Sequence, residues 1–415
     1  MAGAHAASVE QVHTSILRKP DDRRALVVMT VGHGIQHFYV AGLAVTYPFI
    51  VADLHVSYAL LGVVLTASGL VGGLLQGAAG LLRKVRARAI LTAQNAGLAL
   101  ATLLAAISPG FGLFGAAKIL GAIVSWPQHP VGSAYLSERF PERRATALSW
   151  HTAGGSLGTV TIPLLASVVI ATAGWRWALA AVAAALALGA LLIAAALPPE
   201  RRHLPVEADP SEPASLGRLL RQRRVLAVLA ASTVAAGGRG LGTLSTYIPA
   251  DLRSGLHLPT LTVGAIFTVV MTASIAGPLL GGGLADRFGR RGTLVATYLA
   301  GAGALVGFGY AGRDLALLVP LGVLVGVLAY SEAPLMQAVF SDMTERGVAR
   351  ATFGAFFAIS YGVGSLWTAL IGWIIDAAGF PAAFATMAAS FVVAAAIILL
   401  GTRAPRVRST PAEVG

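Results

Sequence analysis

The sequence contains no cysteine and few charged residues. None of the 415 positions is cysteine, which excludes disulfides, iron–sulfur clusters and thiol catalysis. Aspartate, glutamate, lysine and arginine make up 12% of the chain, about half of their share in an average soluble domain. A soluble chain of this length needs more polar surface to cover its core. With 56% hydrophobic residues, the sequence therefore excludes both a soluble globular enzyme and a disordered protein.

The chain contains many long apolar runs. A helix that crosses a bilayer needs about 20 apolar residues, and helices are required because lipid cannot pair a free backbone group. The sequence therefore predicts an all-α polytopic membrane protein with twelve transmembrane helices, spans 1 to 12. They are expected at residues 26–50, 58–82, 88–107, 112–136, 146–172, 176–197, 225–249, 260–284, 293–311, 315–340, 350–375 and 381–402.

One long polar segment divides these spans into two sets of six. We expect a six-helix bundle at 26–197, a cytoplasmic central loop at 198–224 and a second six-helix bundle at 225–402. A cytoplasmic N-terminal segment, 1–25, and a cytoplasmic tail, 403–415, complete the chain. Residues 1–24 are polar with mixed charge and lack the pattern of a cleavable signal peptide.

Basic residues outnumber acidic ones by 30 to 18, which gives a net charge of +12. Such an excess can indicate nucleic-acid binding, but the distribution of the bases favours a different explanation. Arg176, Arg253 and Arg313 fall on one side of the predicted membrane, Lys118 and Arg239 fall inside spans, and every other base falls on the N-terminal side. Because lysine and arginine mark the cytoplasmic side, we expect both termini in the cytoplasm, a multi-pass protein of the cell (inner) membrane, and no nucleic-acid partner.

The two halves carry an internal repeat. Residues 125–130 in span 4 align with residues 329–334 in span 10, and the same offset pairs 137–138 with 341–342. Parallel six-helix repeats are typical of one large class of transporters, whose site lies between the repeats near the middle of the membrane.

The segment after span 8 resembles a family signature. Residues 282–291 read G-G-L-A-D-R-F-G-R-R, which resembles the G-x-x-x-D-R-x-G-R-R motif of the major facilitator superfamily, as do residues 174–177 at the turn between spans 5 and 6. This resemblance implies two pseudo-symmetric six-helix bundles that carry solute by alternating access. It also implies a cytoplasmic gating latch at Gly282, Asp286, Arg287, Gly289, Arg290 and Arg291. Alternatively, the three arginines serve only as topology signals.

Two patterns of the superfamily are incomplete in this chain. No acidic residue lies between Asp53 and Glu138, so a latch after span 2 would have to work without one. Gly154 and Gly158 have the spacing of the G-x-x-x-G-P motif of drug/proton antiporters, but Thr159 replaces the proline. The span 1 histidines and residues 129–133 weakly resemble fosmidomycin-resistance exporters.

Few ionisable residues lie inside the spans. A charge at bilayer depth costs at least about 2.5–3.5 kcal/mol, so each is a functional candidate. Glu332 is the only acid well inside a span. A buried carboxyl can change protonation with its surroundings, so we expect Glu332 to couple transport to protons, with a structural hydrogen bond as the alternative.

The intramembrane bases predict contacts with a solute. Arg239 lies among glycines in span 7 and either grips an anionic group or pairs permanently with Glu332; the sequence leaves both open. Lys118 either binds substrate or reaches out to the interface. Further substrate-binding candidates are Gln128, His129, His151, Trp126, Tyr247 and Tyr361, although packing is the commoner role of aromatic side chains.

Two histidines in span 1 share one helix face. His33 and His37 are four residues apart and are expected either to line the cavity and relay protons or to pack. A metal site is not expected, because no carboxylate or cysteine neighbours them.

These features predict a secondary active transporter of a small organic solute or drug, coupled to protons. The excess of intramembrane bases over acids favours an anionic or polar solute. An uncoupled facilitator or exchanger and a transporter-like solute sensor without flux are the alternatives, and the direction of transport stays open. Residues 154–158 match the G-x-S-x-G pattern of hydrolases but lie in an apolar span, so no enzyme is expected. We also expect no cofactor, the lipid bilayer as environment, and a monomer.

Overall fold

The structure is a computed structural model that describes residues 19–76, 85–200, 221–343 and 349–402. Within these ranges the secondary structure is helical, and no strand occurs in them. Most of the predicted terminal segments and of the central loop lies outside the described residues, so their boundaries stay predictions.

In the first half, five of the six predicted spans are single helices. Span 4 is divided into two helices, because Pro127 and Pro130 remove two backbone donors within four residues. Gly174, with φ of 90°, makes the sharp turn between spans 5 and 6. In chain order the helices are Pro20–Asp53, Tyr58–Gln76, Ala87–Ala106, Phe111–Ser125 with Gln128–Arg139, Arg144–Ala173 and Trp175–Ala196.

In the second half, spans 7 and 11 are irregular. Span 7 consists of the helix Arg223–Ala235, a π-turn at Gly240–Leu244, the helix Ser245–Ala250 and a π-turn at Asp251–Gly255. Span 11 begins with Ala349–Phe357 and passes through Ala358–Gly362 and Val363–Ser365 into the helix Leu366–Gly401, which also contains span 12. Spans 8, 9 and 10 are the helices Thr260–Phe288, Arg290–Tyr310 and Leu315–Ser341.

Ten helices in the described ranges are long and apolar enough to cross a membrane. Two local features account for the difference from twelve. Span 4 is divided, and spans 11 and 12 form one helical stretch, Phe353–Gly401, kinked at Gly379, where φ is 82°. Large apolar side chains point away from the protein, as Leu279 does with 74% exposure, which suits a lipid-facing surface. The all-α polytopic fold is thus confirmed.

The helices pack within each half and across the boundary between the halves. Span 1 packs against span 5, span 3 against span 6, span 8 against span 10, and span 9 against span 12. Between the halves, span 2 packs against span 11 and span 5 against span 8. Small residues allow this closeness: a methyl group on Gly158 would lie 2.0 Å from the carbonyl oxygen of Gly34. Residues 154–158 therefore serve helix packing.

Candidate functional site

Two cavities lie between the halves and share one wall. The first, here the lysine cavity, has a volume of about 320 Å³ and is lined by spans 1, 2, 4, 7 and 11. The second, the histidine cavity, has about 650 Å³ and is lined by spans 1, 4, 5, 7, 8, 10 and 11. Arg239, Leu241 and Tyr361 line both cavities.

The break in span 7 brings Arg239 to the shared wall. The regular helix ends at Ala235, and Gly242 has φ of 122°, a conformation that favours glycine. A methyl group on Gly240 would lie 2.4 Å from the ring of Tyr330, so only glycine lets the chain approach span 10 here. The glycines therefore interrupt the helix and place the arginine between the halves.

Arg239 and Glu332 form a buried ion pair. The Nε atom of Arg239 lies 2.9 Å from Oε2 of Glu332, and Nη2 lies 3.3 Å from Oε1. The two residues are 4% and 0% exposed, and the hydroxyl of Tyr298 donates to Oε1 of Glu332 at 3.1 Å. Of the two roles that the sequence leaves open for Arg239, the structure shows pairing with Glu332.

Further contacts hold the guanidinium of Arg239 in place. It donates to the carbonyl oxygen of Ser360 at 3.0 Å, and to the carbonyl and hydroxyl oxygens of Ser232 at 2.7 and 3.0 Å. Its carbon Cζ lies 4.4 Å from the ring centroid of Tyr361. These bonds use most of the five N–H donors of the guanidinium, so Arg239 joins spans 7, 10 and 11 more than it offers donors to a solute.

The lysine cavity combines one ammonium group with many hydroxyls. Nζ of Lys118 lies 3.4 Å from the hydroxyl of Tyr39 and 4.7 Å from its ring centroid. The hydroxyl of Tyr47 also contacts Lys118. Further hydroxyls in the lining belong to Ser68, Ser125, Thr243, Ser245, Thr246 and Thr368. No acidic residue belongs to the lining of this cavity within the described ranges.

The histidine cavity brings together four histidines from three spans. His33 and His37 of span 1, His129 of span 4 and His151 of span 5 all line it. The ring of His33 stacks on that of His151 with 4.0 Å between centroids, and contacts His37 and His129 at 4.6 and 5.1 Å. Potential ligand nitrogens of His33, His37 and His129 lie within 4.8 Å of one another. This cluster could hold either protons or a metal ion.

Hydrogen bonds fix the histidine rings. Nδ1 of His33 donates to the carbonyl oxygen of His151 at 2.7 Å, and Nδ1 of His151 donates to the carbonyl oxygen of Met29 at 3.1 Å. Nδ1 of His37 lies 2.7 Å from Oγ1 of Thr159, and its Nε2 lies 3.0 Å from Nε2 of His33. No carboxylate lines this cavity among the described residues.

Three predicted substrate-binding residues lie outside both central cavities. Trp126 lines a separate cavity of about 410 Å³ that it shares with residues of span 3. Gln128 is 1% exposed, and its amide oxygen has no partner within the described ranges. Tyr247 is fully buried, and its hydroxyl donates to the carbonyl oxygen of Thr368 at 2.6 Å. These positions suit packing rather than contact with a solute in the central cavities.

The three arginines of the predicted latch make contacts within the second half. Arg290 pairs with Asp342 at the end of span 10, and Arg291 donates to the carbonyl oxygen of Leu399 at 2.6 Å. The guanidinium of Arg287 lies 5.3 Å from the ring centroid of Phe288. Asp286 is exposed and, among described residues, makes no hydrogen bond or ion pair.

Two latch glycines have different surroundings. Gly289, with φ of 87°, forms the turn between spans 8 and 9. A methyl group on Gly282 would meet no atom within 4 Å.

At the predicted outer end, polar contacts join the halves. The carboxylate of Asp376 accepts hydrogen bonds from the backbone N–H groups of Tyr58 and Ala59 at 3.1 and 2.7 Å, where a helix start favours an anion. The hydroxyl of Tyr58 donates to that of Ser254 at 2.8 Å. A methyl group on Gly372 would lie 2.2 Å from the carbonyl oxygen of Tyr58, so the halves touch closely here.

Sequence reasoning missed several partners of the site. In the sequence, Thr159 is visible only as a departure from a motif, although it contacts His37. Tyr39 and Tyr47 of span 1 were missed beside Lys118, and Tyr298 beside Glu332. A signal existed only for the tyrosines of span 1: Tyr39 follows the histidine pair closely and Tyr47 lies eight residues further along the same helix.

The sequence matches a family model and a curated relative. The family model of the Major Facilitator Superfamily matches residues 29–312 and 228–415. The probable galactarate/D-glucarate transporter GudP of Bacillus subtilis (strain 168) is 32% identical over 173 residues, which are 38% of this chain and 35% of that protein. The chain thus matches about a third of the length of this curated relative.

Solved transporters share the architecture of almost the whole chain. The nucleoside transporter NupG superimposes with a TM-score of 0.77 at 13% identity and covers 92% of this chain and 100% of its own. A D-xylose-proton symporter gives a TM-score of 0.73 at 18% identity and covers 92% of this chain and 98% of its own. At such low identity these likenesses show the fold alone.

Proposed function

The chain belongs to the Major Facilitator Superfamily, and from this premise we propose that it carries a small organic anion across the cytoplasmic membrane by alternating access, driven by protons. Membership makes the chain a multi-pass membrane transporter of organic solutes and not an enzyme. The nature of the solute, the proton coupling and the conformational cycle are our proposals. We also propose a monomer with both termini in the cytoplasm.

The charge balance of the lysine cavity carries the proposal of an anionic solute. Arg239 is neutralised by Glu332, and no described acidic residue lines the cavity to neutralise Lys118. An unbalanced charge at this depth is costly, and a bound carboxylate would offset that cost. About 320 Å³ falls in the usual range for small-molecule sites.

The hydroxyl groups around Lys118 narrow the solute class. Serine, threonine and tyrosine hydroxyls both donate and accept hydrogen bonds, so they complement a solute that carries hydroxyls itself. The relative GudP is named as a probable galactarate/D-glucarate transporter. Both observations favour a hydroxylated carboxylic acid over an apolar drug.

The asymmetric contacts between the halves support alternating access. Asp376 and Tyr58 connect the halves at the predicted outer end, whereas the described contacts of the latch arginines stay within the second half. We therefore assign the structure to an inward-facing state. In the proposed cycle, outward opening breaks the Asp376 contacts, and the latch forms at the other end.

The buried titratable groups support proton coupling. The D-xylose-proton symporter shares the fold, although its coupling is a property of that protein. In this chain, Glu332 and the four histidines lie at or near the boundary between the halves. Protonation of a group at this boundary can favour one of the two states.

Transport in proteoliposomes tests the proposal. Purified protein is reconstituted with an inward proton gradient, and uptake of labelled D-glucarate and D-gluconate is compared with that of uncharged xylitol. We expect accumulation of the acids only, lost in Lys118→Met and kept in Lys19→Met, which removes an exposed lysine.

Three results would contradict parts of the proposal. Uptake of xylitol but not of the acids would refute the anionic solute. Exchange of acids without accumulation would indicate an uncoupled facilitator. Binding of acids without any flux would indicate a sensor.

A further inference from the structure

We propose that His33 and His37 form a dyad that holds one proton between their Nε2 atoms, and that this proton moves together with the anion. The inference rests on the proposed function and assigns its proton site. It starts from the hydrogen-bonding requirements of the two imidazole rings.

The surroundings of His33 fix its tautomer. Its Nδ1 lies 2.7 Å from the carbonyl oxygen of His151, and a carbonyl oxygen can only accept. Nδ1 of His33 therefore carries a hydrogen. Because a neutral imidazole has one N–H group, Nε2 of a neutral His33 is an acceptor.

The same reasoning applies to His37 through Thr159. Oγ1 of Thr159 lies 3.0 Å from the carbonyl oxygen of Gly155 and 2.7 Å from Nδ1 of His37. The hydroxyl has a single hydrogen. While it donates this hydrogen to Gly155, it can only accept from His37, so Nε2 of a neutral His37 is also an acceptor.

Two acceptors then face each other at 3.0 Å. While Thr159 donates to Gly155, two lone pairs repel at this distance, whereas one added proton turns the contact into an N–H···N hydrogen bond of ordinary length. Two nitrogens that bind one tetrahedral zinc ion stand about 3.3 Å apart, from metal–nitrogen distances of about 2.0–2.1 Å. The geometry therefore favours a shared proton over a metal ion.

Loss of the proton requires a change at Thr159. The hydroxyl rotates from the carbonyl of Gly155 and donates to Nδ1 of His37, which has given up its hydrogen. His37 then carries its single N–H at Nε2 and donates it to His33. In total the dyad loses one proton, which is released to water in the histidine cavity, which His129 also lines. This rearrangement couples the protonation of the dyad to the contact between spans 1 and 5.

The other titratable groups around the dyad determine which ion balances its charge. They are His129 from span 4, His151 from span 5, Arg239 from span 7, Tyr330 from span 10 and Tyr361 from span 11. Span 8 contributes Met271, Ser274, Ile275 and Pro278, none of which titrates. Within the described lining no carboxylate can offset a protonated dyad, so a bound anion provides the opposite charge.

Proton and anion therefore stabilise each other and travel in the same direction. By linkage, the factor by which the proton raises anion affinity equals the factor by which the anion raises proton affinity. Anion affinity should fall as the pH rises and the dyad loses its proton. Glu332 is not the transported proton's site in this scheme, since it lies outside the described lining of both cavities.

Solid-state NMR of histidine labelled with nitrogen-15 tests the dyad without any solute. In lipid vesicles between about pH 5 and 9, the range in which histidine titrates, we expect a coupling across the hydrogen bond between the two Nε2 atoms throughout, and a protonated Nδ1 of His37 only at the acidic end. His33→Asn and His37→Asn keep a donor near Nδ1 and remove Nε2, so each should abolish the signal. The control is His55→Asn, at an exposed turn with φ of 51°, where asparagine is tolerated.

Variants of Thr159 give a second readout. Thr159→Val removes the acceptor of the protonated state, so the protonated Nδ1 of His37 should disappear at a lower pH than in the wild type, and Thr159→Ser should restore the wild-type pH. Absence of the coupling at every pH, or an Nδ1 of His37 that does not change its protonation in this range, would overturn the dyad. So would appearance of the coupling only after addition of zinc, which would indicate a metal site.

Transport measurements separate this inference from the proposed function. We expect His37→Asn to exchange acids across the membrane while its accumulation falls to the level seen without a gradient. Full gradient-driven accumulation by His37→Asn would overturn the dyad and leave the proposed transporter intact. Conversely, a dyad signal in a protein that moves no organic anion would refute the proposed function and the joint movement of proton and anion, while the shared proton itself would stand.

Discussion

Replacing Glu332 by glutamine tests what the buried ion pair does. In the wild type, Arg239 is 4% exposed and both of its bonds to Glu332 lie inside the second half. The Glu332→Gln variant keeps the side-chain shape and removes the negative charge. Arg239 then remains buried as an uncompensated cation.

The structure sets the size of the effect. Removing one partner of a buried pair costs about 3–5 kcal/mol. Here the amide oxygen of glutamine still accepts a hydrogen bond, and Ser232, Ser360 and the ring of Tyr361 keep contacting the guanidinium. We therefore expect the free energy of unfolding to fall by the lower end of this range, about 3 kcal/mol, which shifts the unfolding equilibrium about a hundredfold.

A double variant distinguishes pairing from simple loss of contacts. Arg239→Gln with Glu332→Gln removes both charges, so no buried ion is left without a partner. We expect the double variant to be more stable than Glu332→Gln alone, which corresponds to a coupling energy of about 2 kcal/mol. Additive costs would refute the reasoning.

Unfolding in mixed detergent micelles, followed by tryptophan fluorescence, measures these differences. Asp342→Asn is the matched control, because it breaks the half-exposed pair with Arg290 and should cost less than about 1 kcal/mol. If Glu332→Gln costs no more than this control, the buried pair does not stabilise the fold. Since the proposed proton site is the dyad, reconstituted Glu332→Gln should still accumulate solute.

Three further changes test the cavity and its two ends. Lys118→Met should weaken anion binding about 10- to 100-fold, because it removes a charged hydrogen-bond donor, whereas Lys118→Arg keeps the charge. Competition binding measures the anion affinity of both variants, and equal affinities of Lys118→Met and Lys118→Arg would contradict the assignment. Gly372→Ala should open the outer end, because its methyl group would lie 2.2 Å from the carbonyl of Tyr58. The chain has no other cysteine, so labelling of a single cysteine placed at Ser254 measures this opening and should accelerate. Gly283→Ala is the control and should leave the labelling rate unchanged, because its methyl group meets no atom within 4 Å. Asp286→Asn should change stability by less than about 0.5 kcal/mol, as at an exposed surface site, yet slow the transport cycle if the latch forms only in the outward state; an unchanged rate would exclude that role.

The sequence predicted the fold well because the membrane imposes local rules. The length of an apolar run and the position of arginine and lysine can be counted along the chain, and the spans follow from them. The divided span 4 was not predicted, although Pro127 and Pro130 were visible. Proline is tolerated in many membrane helices when neighbours satisfy the freed backbone groups, so only the packed structure shows where a helix actually breaks.

Contacts between the residues of the site were predictable only where those residues are close in sequence. The spacing of four residues placed His33 and His37 on one face, and both line the histidine cavity. The pair of Arg239 and Glu332 joins residues 93 positions apart, and no pattern in the sequence distinguishes such a partner from a solute. Thr159 contacts a histidine 122 positions away, so its role depends on how spans 1 and 5 pack.

The arrangement of charges suggests why the proton and the anion should move together. Among the described spans, Arg239 and Glu332 cancel each other, so Lys118 is the charge that an empty carrier must bring through the low-dielectric part of the membrane. An anion bound at Lys118 cancels this charge, and a proton bound at the dyad restores it. A carrier loaded with one proton and one monovalent anion therefore has the same charge as the empty carrier. Both then cross the same electrostatic barrier, and the complete cycle moves no net charge. A carrier loaded with the anion alone is neutral, so its cycle carries one net negative charge inward against the membrane potential, at about 2.3 kcal/mol per 100 mV. The described lining of both cavities, which contains no acidic residue, thus favours co-transport by keeping the energies of the loaded and the empty carrier alike.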